Sequence, residues 1–279
     1  GRVYRLKVWK LPEGGPQTKG RPMVNLLPLD PDERINAVLP TREFPDDWFV
    51  FFATRAGRVK KTPLSDFANI RSNGIWAIEL EDGDELVDVA FTEGSRDILL
   101  LSSAGKAIRF HEDKVRPMGR QTRGVIGIRL QDDQEVVSML VVGDGTGDGG
   151  DVLVATANGY GKRTALDEFP VYNRGGQGVI GIQTTGRNGP LVAALGVTDD
   201  DDVMLTSNSG TLVRTSVAEI SRLGRNTQGV TLMRLGKNEQ LIGLARVAVA
   251  EDEELDGDMD EALDDEADSG AADEAPAES

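Results

Sequence analysis

The sequence predicts an all-β protein built as a radial, propeller-like array of repeats. Three observations carry this. Two glycine series advance through the chain in step. Short runs rich in Val, Ile and Leu recur between polar turns. No long amphipathic helical pattern interrupts them. The first glycine falls at Gly1, Gly57, Gly105, Gly159 and Gly210, with spacings of 56, 48, 54 and 51. The second falls at Gly20, Gly74, Gly124, Gly178 and Gly229, with spacings of 54, 50, 54 and 51. A period near fifty residues is the signature of stacked or radial repeats.

Each unit reads in the same order. An apolar run comes first: Trp48–Ala53, Asp97–Leu101, Val152–Ala155 and Val203–Leu205. A small polar turn around the first glycine follows, as in Ser103-Ala104-Gly105-Lys106. A glycine at positive φ closes such a hairpin without steric cost. Four positions on, every unit has a cation: Arg5, Lys61, Arg109, Arg163 and Arg214. About one residue in nine is basic, so five cations at one register point to a shared task, a ladder of positive charge along the assembly. Short helical turns are expected at Ser65–Ile70, Leu166–Phe169 and Val217–Ser221.

A polar loop then leads to the second glycine, which opens another apolar run: Val24–Leu27, Ile75–Leu80, Val125–Leu130, Val179–Ile182 and Val230–Leu235. A last run closes each unit: Ile35–Leu39, Leu86–Phe91, Val136–Val142, Leu191–Val197 and Leu241–Val247. Several of these alternate, as half-buried antiparallel strands do. Four short strands per unit and no long helix predict the blades of a propeller. Unit boundaries are expected near Pro40–Glu43, Thr92–Arg96, Gly143–Asp151 and Thr198–Asp202.

The 279 residues include no Cys, which removes disulfides and thiolate metal sites. No apolar stretch approaches the length of a membrane span and no signal peptide is visible. The chain opens on Gly in mid-pattern, which reads as a piece of a longer protein. The formal charge of −16 is concentrated at one end: Glu251–Ser279 holds 15 acidic residues and no Lys or Arg. The remainder is close to neutral. Residues 1–249 are therefore expected to form the repeat domain, and 250–279 a disordered acidic tail with too little apolar surface to fold. The tail suits either a solubilising appendage or a DNA mimic that competes for basic surface.

Nucleic-acid binding is the best-supported chemistry. Besides the ladder, the loops before the second glycine are cationic, with Lys19 and Arg21, Arg71, Arg120 and Arg123, Arg174, and Arg222 and Arg225. Lys60, Lys106 and Lys162, in the same hairpins as the ladder, complete the expected DNA-binding set. Gln, Asn, Thr and Gly beside these cations let backbone N–H groups approach phosphate, while Arg adds bidentate geometry. No catalytic constellation emerges. His111 is the only His and reads as a surface residue. Gly159–Thr164 resembles the end of a P-loop, but Thr156 stands where that motif needs Gly. The Gly- and Asp-rich run Gly143–Asp151 lacks calcium-loop spacing and reads as a connector. Trp9, Trp48 and Trp76 lie in or beside apolar runs and read as packing residues.

Four stretches carry a family resemblance: Gly1–Pro12, Gly20–Leu29, Asn158–Ala165 and Gly224–Val230. Together with the order of everything between Gly1 and Val249, they closely resemble the C-terminal domain of bacterial DNA gyrase A. The resemblance implies a six-bladed β-pinwheel with strands exchanged between blades, its first blade incomplete here. It implies a basic perimeter that bends and wraps double-stranded DNA so that the holoenzyme can introduce negative supercoils. It also implies a cytoplasmic, nucleoid-associated parent, an ATP-dependent type II topoisomerase assembled from gyrase A and gyrase B polypeptides. ATP, Mg²⁺ and the nucleophilic Tyr belong to other domains, so no cofactor and no catalytic role for Tyr4, Tyr160 or Tyr172 is expected. The family's hallmark box (Gln, two basic residues, Gly-Gly, a basic residue, Gly) is not intact. Arg174-Gly175-Gly176-Gln177-Gly178 is its nearest counterpart, which predicts DNA binding with poor wrapping. Two alternatives stay open: the related domain of topoisomerase IV, and a propeller-type protein-interaction scaffold.

Overall fold

The computed structural model describes residues 1–15, 17–143 and 150–247. The acidic tail and most of the Gly143–Asp151 connector lie outside the described residues. Residues Gly1–Val247 form one compact unit. It contains 17 short strands, six 3₁₀ turns and no α-helix among the described residues.

In chain order the first unit supplies β1 (Arg2–Val3). The second supplies β2 (Phe49–Thr54), β3 (Arg58–Pro63), β4 (Ile75–Trp76) and β5 (Leu86–Thr92). The third supplies β6 (Asp97–Ser102), β7 (Lys106–His111), β8 (Val125–Ile126) and β9 (Val136–Val142). The fourth supplies β10 (Asp151–Thr156), β11 (Tyr160–Ala165), β12 (Val179–Ile180) and β13 (Leu191–Val197). The fifth supplies β14 (Asp202–Ser207), β15 (Leu212–Ser216), β16 (Val230–Thr231) and β17 (Leu241–Val247).

All pairings between these strands are antiparallel, and the third strand of each unit leaves its own blade. It adds to the outer edge of the blade before it: β4 to β1, β8 to β3, β12 to β7 and β16 to β11. The sheets therefore read β5-β2-β3-β8, β9-β6-β7-β12 and β13-β10-β11-β16, flanked by the pair β1-β4 and the three strands β17-β14-β15. This is the strand exchange that the resemblance implies; the described residues form five blades, the first of them the incomplete pair β1-β4, where the resemblance implies six. The closing strands β5, β9, β13 and β17 contact one another in sequence, forming the hub.

The second glycine makes the exchange sterically feasible. Gly124 has φ +82, and a Cβ there would run into the backbone of Val59 on the neighbouring blade. Gly57 closes its hairpin at φ +81, where a Cβ would sit 2.8 Å from the Ile128 carbonyl of the incoming segment. One glycine thus makes the turn and the other admits the visiting strand.

Central strands are buried on both faces, so they read as unbroken apolar runs. Alternate residues of β6 serve different cores. Ile98 and Leu100 join Phe51, Val59 and Phe110 towards the second blade. Leu99 and Leu101 join Val152, Val154 and Phe169 towards the fourth. Burying one such side chain contributes about 1.5–3 kcal/mol.

Several expected elements differ. Residues Val24–Leu27 and Ile35–Leu39 form no strand; Met23–Asn25 is a 3₁₀ turn instead. Among the described residues there is neither a preceding repeat's hairpin for Val24–Leu27 to join, as β8 joins β3, nor a first strand of their own unit for Ile35–Leu39 to join, as β5 joins β2, so these runs have no edge to pair with. The other runs after the second glycine pair through only two residues each. The helical turns appear as 3₁₀ turns at Leu64–Phe67, Leu166–Glu168 and Val217–Glu219, and a fourth, Glu112–Lys114, is hidden by its polar sequence. Trp9 is 77 % exposed and Trp76 is 49 % exposed, with the Arg2 guanidinium over its ring, so neither is a core residue.

Candidate nucleic-acid interface

The ladder cations share a task, and it is internal. Four of the five hairpin cations reach across to the 3₁₀ turn of the next unit, while Arg214, in the fifth unit, bonds Asp202 of its own hairpin. Arg5 donates to the Ala68 carbonyl at 3.1 Å, and Lys61 to the Glu112 carbonyl at 2.9 Å. Arg109 donates to the Leu166 and Phe169 carbonyls at 3.3 and 3.4 Å, and Arg163 to the Ile220 carbonyl at 2.7 Å. The Ala68, Phe169 and Ile220 carbonyls lie past the ends of their turns, whereas the Glu112 and Leu166 carbonyls also accept the turn's own N–H from Val115 and Phe169. A backbone bond reinforces the seam beside the last three cations, from Met118 to Lys61, Tyr172 to Arg109 and Leu223 to Arg163.

Carboxylates neutralise the ladder. Asp97 lies 2.8 Å from Arg109, Asp202 lies 2.6 Å from Arg214, and Arg163 faces both Asp151 and Asp199. Phe49 occupies the corresponding strand start in the second blade, so Lys61 finds its acid in Glu112 of the next unit at 3.5 Å and lies over the Phe49 ring. The expectation of a ladder of free positive charge is corrected here. Lys61, Arg109 and Arg163 are inter-blade clamps whose charge is engaged within the fold. Lys60 and Lys162 are also corrected as surface contacts: both are fully buried. Burial lowers each ammonium's pKa to about 8.

The loop cations divide in two. Arg174 donates to the Lys114 and Ile126 carbonyls, and Arg225 to the Ile180 carbonyl, fastening each loop to the preceding blade. Arg123 pairs with Glu79 and Arg222 with Asp151, yet both stay more than half exposed. Lys19, Arg21 and Arg71 are exposed, and they and the half-buried Lys106 and Arg120 make no ion pair among the described residues. Sequence reasoning missed Arg116 and Arg129, which are equally exposed and unengaged. Arg129 occupies the same place in its unit as Arg234, five residues past the second glycine, a register the ladder drew attention away from.

Backbone bonds place these loops along the outer strands. The Glu79 amide donates to Thr122, Arg129 to Gly176 and Gln183 to Thr227. Loop and visiting strand together form the outer rim of each blade. Among the described residues no group of three His, Asp or Glu side chains is arranged to hold a metal, and no helix is long and apolar enough to cross a membrane.

Comparison with known proteins agrees with this architecture. The family model described as "DNA gyrase C-terminal domain, beta-propeller" matches residues 1–42, 49–93, 96–143, 150–197 and 201–248, one block per unit. The A subunit of DNA gyrase from Salmonella typhimurium is 52% identical over 258 residues, and that from Escherichia coli is 51% identical over 255. These alignments cover 92% and 91% of this chain, which spans 29% of either relative's length. A solved C-terminal domain of DNA topoisomerase IV superposes with TM-score 0.81 at 27% identity, covering 88% of this chain and 76% of that one. A solved DNA gyrase A C-terminal domain superposes with TM-score 0.75 at 24% identity, covering 89% and 80%. With one matched block on each of five units that exchange strands in sequence, the chain belongs to the family of DNA gyrase A C-terminal domains.

Proposed function

We propose that this domain binds duplex DNA without sequence preference along the blade rims, bending and wrapping it in the service of negative supercoiling by a gyrase holoenzyme. Family membership supports the reading, and one observation carries it: of the sequence-predicted cations, those that the fold leaves without an ion pair or buried place, Lys19, Arg21, Arg71, Lys106 and Arg120, lie in or beside the rim loops. Of the sequence-predicted set, Lys19, Arg21, Arg71, Lys106, Arg120, Arg123 and Arg222 are the surface contacts, joined by Arg116 and Arg129. Arg5, Arg174, Arg214 and Arg225 act from the rim's margin. Phosphate contacts of this kind give affinity, salt dependence and little base readout. The wider partners are the rest of gyrase A, and gyrase B, in a cytoplasmic, nucleoid-associated enzyme that uses ATP and Mg²⁺ in other domains.

The topoisomerase IV superposition favours a second reading, in which the domain holds DNA without driving supercoiling. One experiment tests them. Binding to a duplex of about 40 base pairs is measured across a salt series, beside relaxation of a closed circle by topoisomerase I in the domain's presence. Salt-sensitive binding with a linking-number change is expected. Binding without that change removes wrapping and leaves a domain that holds DNA, either because its hallmark box is not intact or as the topoisomerase IV reading has it. No binding at low salt overturns both and selects a protein-interaction scaffold.

A further inference from the structure

Lys60 and Lys162 occupy the same place in two different repeats, three residues past the first glycine. The other units have Tyr4, Ile108 and Val213 there. Both lysines are fully buried beneath the rim loop of the next unit. Lys60 Nζ donates to the Arg120 carbonyl and, at 2.6 Å, to the Ala77 carbonyl. Lys162 Nζ donates to the carbonyls of Gly224 and, at 2.7 Å, Arg225. Arg120 and Arg225 share one register, four residues before the second glycine.

The two loops above the lysines also match each other. One reads Gly119-Arg120-Gln121-Thr122 and the other Gly224-Arg225-Asn226-Thr227. In each, the Thr hydroxyl donates back to the Gly carbonyl, at 2.9 and 3.0 Å. The loop over Ile108, Asn173–Gly178, has neither the motif nor the turn. An acid accompanies each lysine at one position of the 3₁₀ turn, Asp66 and Glu168. Beside Ile108 that position is Lys114. Lysine, acid and loop motif therefore occur together or not at all in the three complete blades.

Peptide planarity gives this its chemical meaning. A carbonyl drawn down onto a buried ammonium sends the N–H of the same trans peptide the opposite way. For the Arg120 and Arg225 carbonyls those N–H groups belong to Gln121 and Asn226, while the N–H beyond the Gly224 carbonyl, that of Arg225, is taken by the Glu168 carboxylate at 3.0 Å. Gln121 and Asn226 are exposed, and neither amide has an acceptor among the described residues. The equivalent amide over Ile108, Gly175, is already bonded to the Gly127 carbonyl at 2.6 Å. An outward N–H above a buried positive charge is an anion seat.

We propose that Lys60 and Lys162 each build a seat for a backbone phosphate of duplex DNA, with the amides of Gln121 and Asn226 as the contacting donors and the lysines as positioning residues. This rests on the DNA-binding reading of the rim and adds two discrete points of contact to it. The lysines never touch the ligand. They turn the loop and supply charge in a medium that screens little. Arg120 and Asp66 face Lys60 from the loop and the 3₁₀ turn, and the Gly1 amino group also lies near it. Glu168 and Arg225 face Lys162. Burial dominates in both, so the ammoniums lose their protons near pH 8, and each seat weakens as pH rises through that value.

The test is a carbon-detected NMR titration, which follows the backbone amide nitrogens whether or not their protons exchange with water, of the domain with a duplex of about 40 base pairs at low salt, repeated from about pH 7 to about pH 9.5. Gln121 and Asn226 are expected to show large amide shifts on DNA addition and Gly175 none. Lys60→Met and Lys162→Met each remove their own loop's response and together weaken binding about tenfold at pH 7, while flattening its pH profile. DNA binding that leaves both amides unmoved overturns the proposal. If the wild-type domain binds no DNA, the rim reading fails, and the free protein decides the seats by itself. An inflection near pH 8 in the Gln121 and Asn226 amides, absent at Gly175, sustains them, and no inflection overturns them. That arm needs no variant, so poor folding of either substitution leaves the test intact.

Discussion

Arg163 Nε donates to the Ile220 carbonyl at 2.7 Å, across the seam between the fourth and fifth units. Its guanidinium also faces Asp151, whose side chain is only 8% exposed. Arg163→Ala therefore removes an inter-blade bond and one of two cations from a buried carboxylate, leaving Arg222 as the other. A stability loss of about 2 kcal/mol is expected, read from urea unfolding. A variant of unchanged stability and reduced DNA affinity would return Arg163 to the surface set.

Lys61 is more committed still. Glu112 is completely buried and accepts from the Thr92 hydroxyl at 2.8 Å and the Arg96 amide at 2.9 Å, with Lys61 as its cation. Lys61→Met leaves that carboxylate with neutral donors alone and is expected to cost about 3–5 kcal/mol. Adding Glu112→Gln removes the stranded charge and keeps an acceptor, so the double variant is expected to be more stable than Lys61→Met. Additive losses in the cycle would show that the pair is not coupled.

These two pairs show where sequence reasoning succeeds and where it stops. Glycine spacing and apolar runs reveal the blades because Gly57 and Gly124 are placed by backbone sterics, which leave a mark in the residue itself. The ladder register is also legible. Its task is not, because a cation that clamps a carbonyl and a cation that holds phosphate are written with the same letter. Only the partner separates them, and that partner is set by the fold: Asp97 on the adjacent strand for Arg109, Glu112 in the next repeat for Lys61. The runs at Val24–Leu27 and Ile35–Leu39 show the converse. Their pattern specifies strands, but a strand forms only beside an edge with free backbone groups. Arg129 escapes notice because a lone Arg after a short strand has no local signature.

Arg71 and Arg129 test the surface set. Both are exposed and free of ion pairs among the described residues, so replacing either by Ala is expected to change stability by no more than about 0.5 kcal/mol. The slope of log K against log salt is expected to fall by about 0.9 for each lost phosphate contact. A slope unchanged in the double variant would place the DNA path on another face of the domain.

The buried lysines give the domain an unusual alkaline response. Their folded pKa of about 8 lies below the ordinary value of 10.5. Between these values the unfolded chain binds more protons than the folded one, so stability rises with pH across that window and is lost as pH falls through about 8. Urea midpoints at about pH 7.5 and about pH 9.5 are expected to increase in the wild type and to converge in Lys60→Met/Lys162→Met. The double variant is also expected to be the more stable protein at about pH 7.5, since it no longer buries these two ammoniums. DNA affinity is expected to run the other way, because the proposed seats depend on the same ammoniums. A double variant that is both less stable and flat in pH would mean the ammoniums stabilise the blades outright. One that gains stability while losing affinity would show a destabilising charge retained for what it does at the rim.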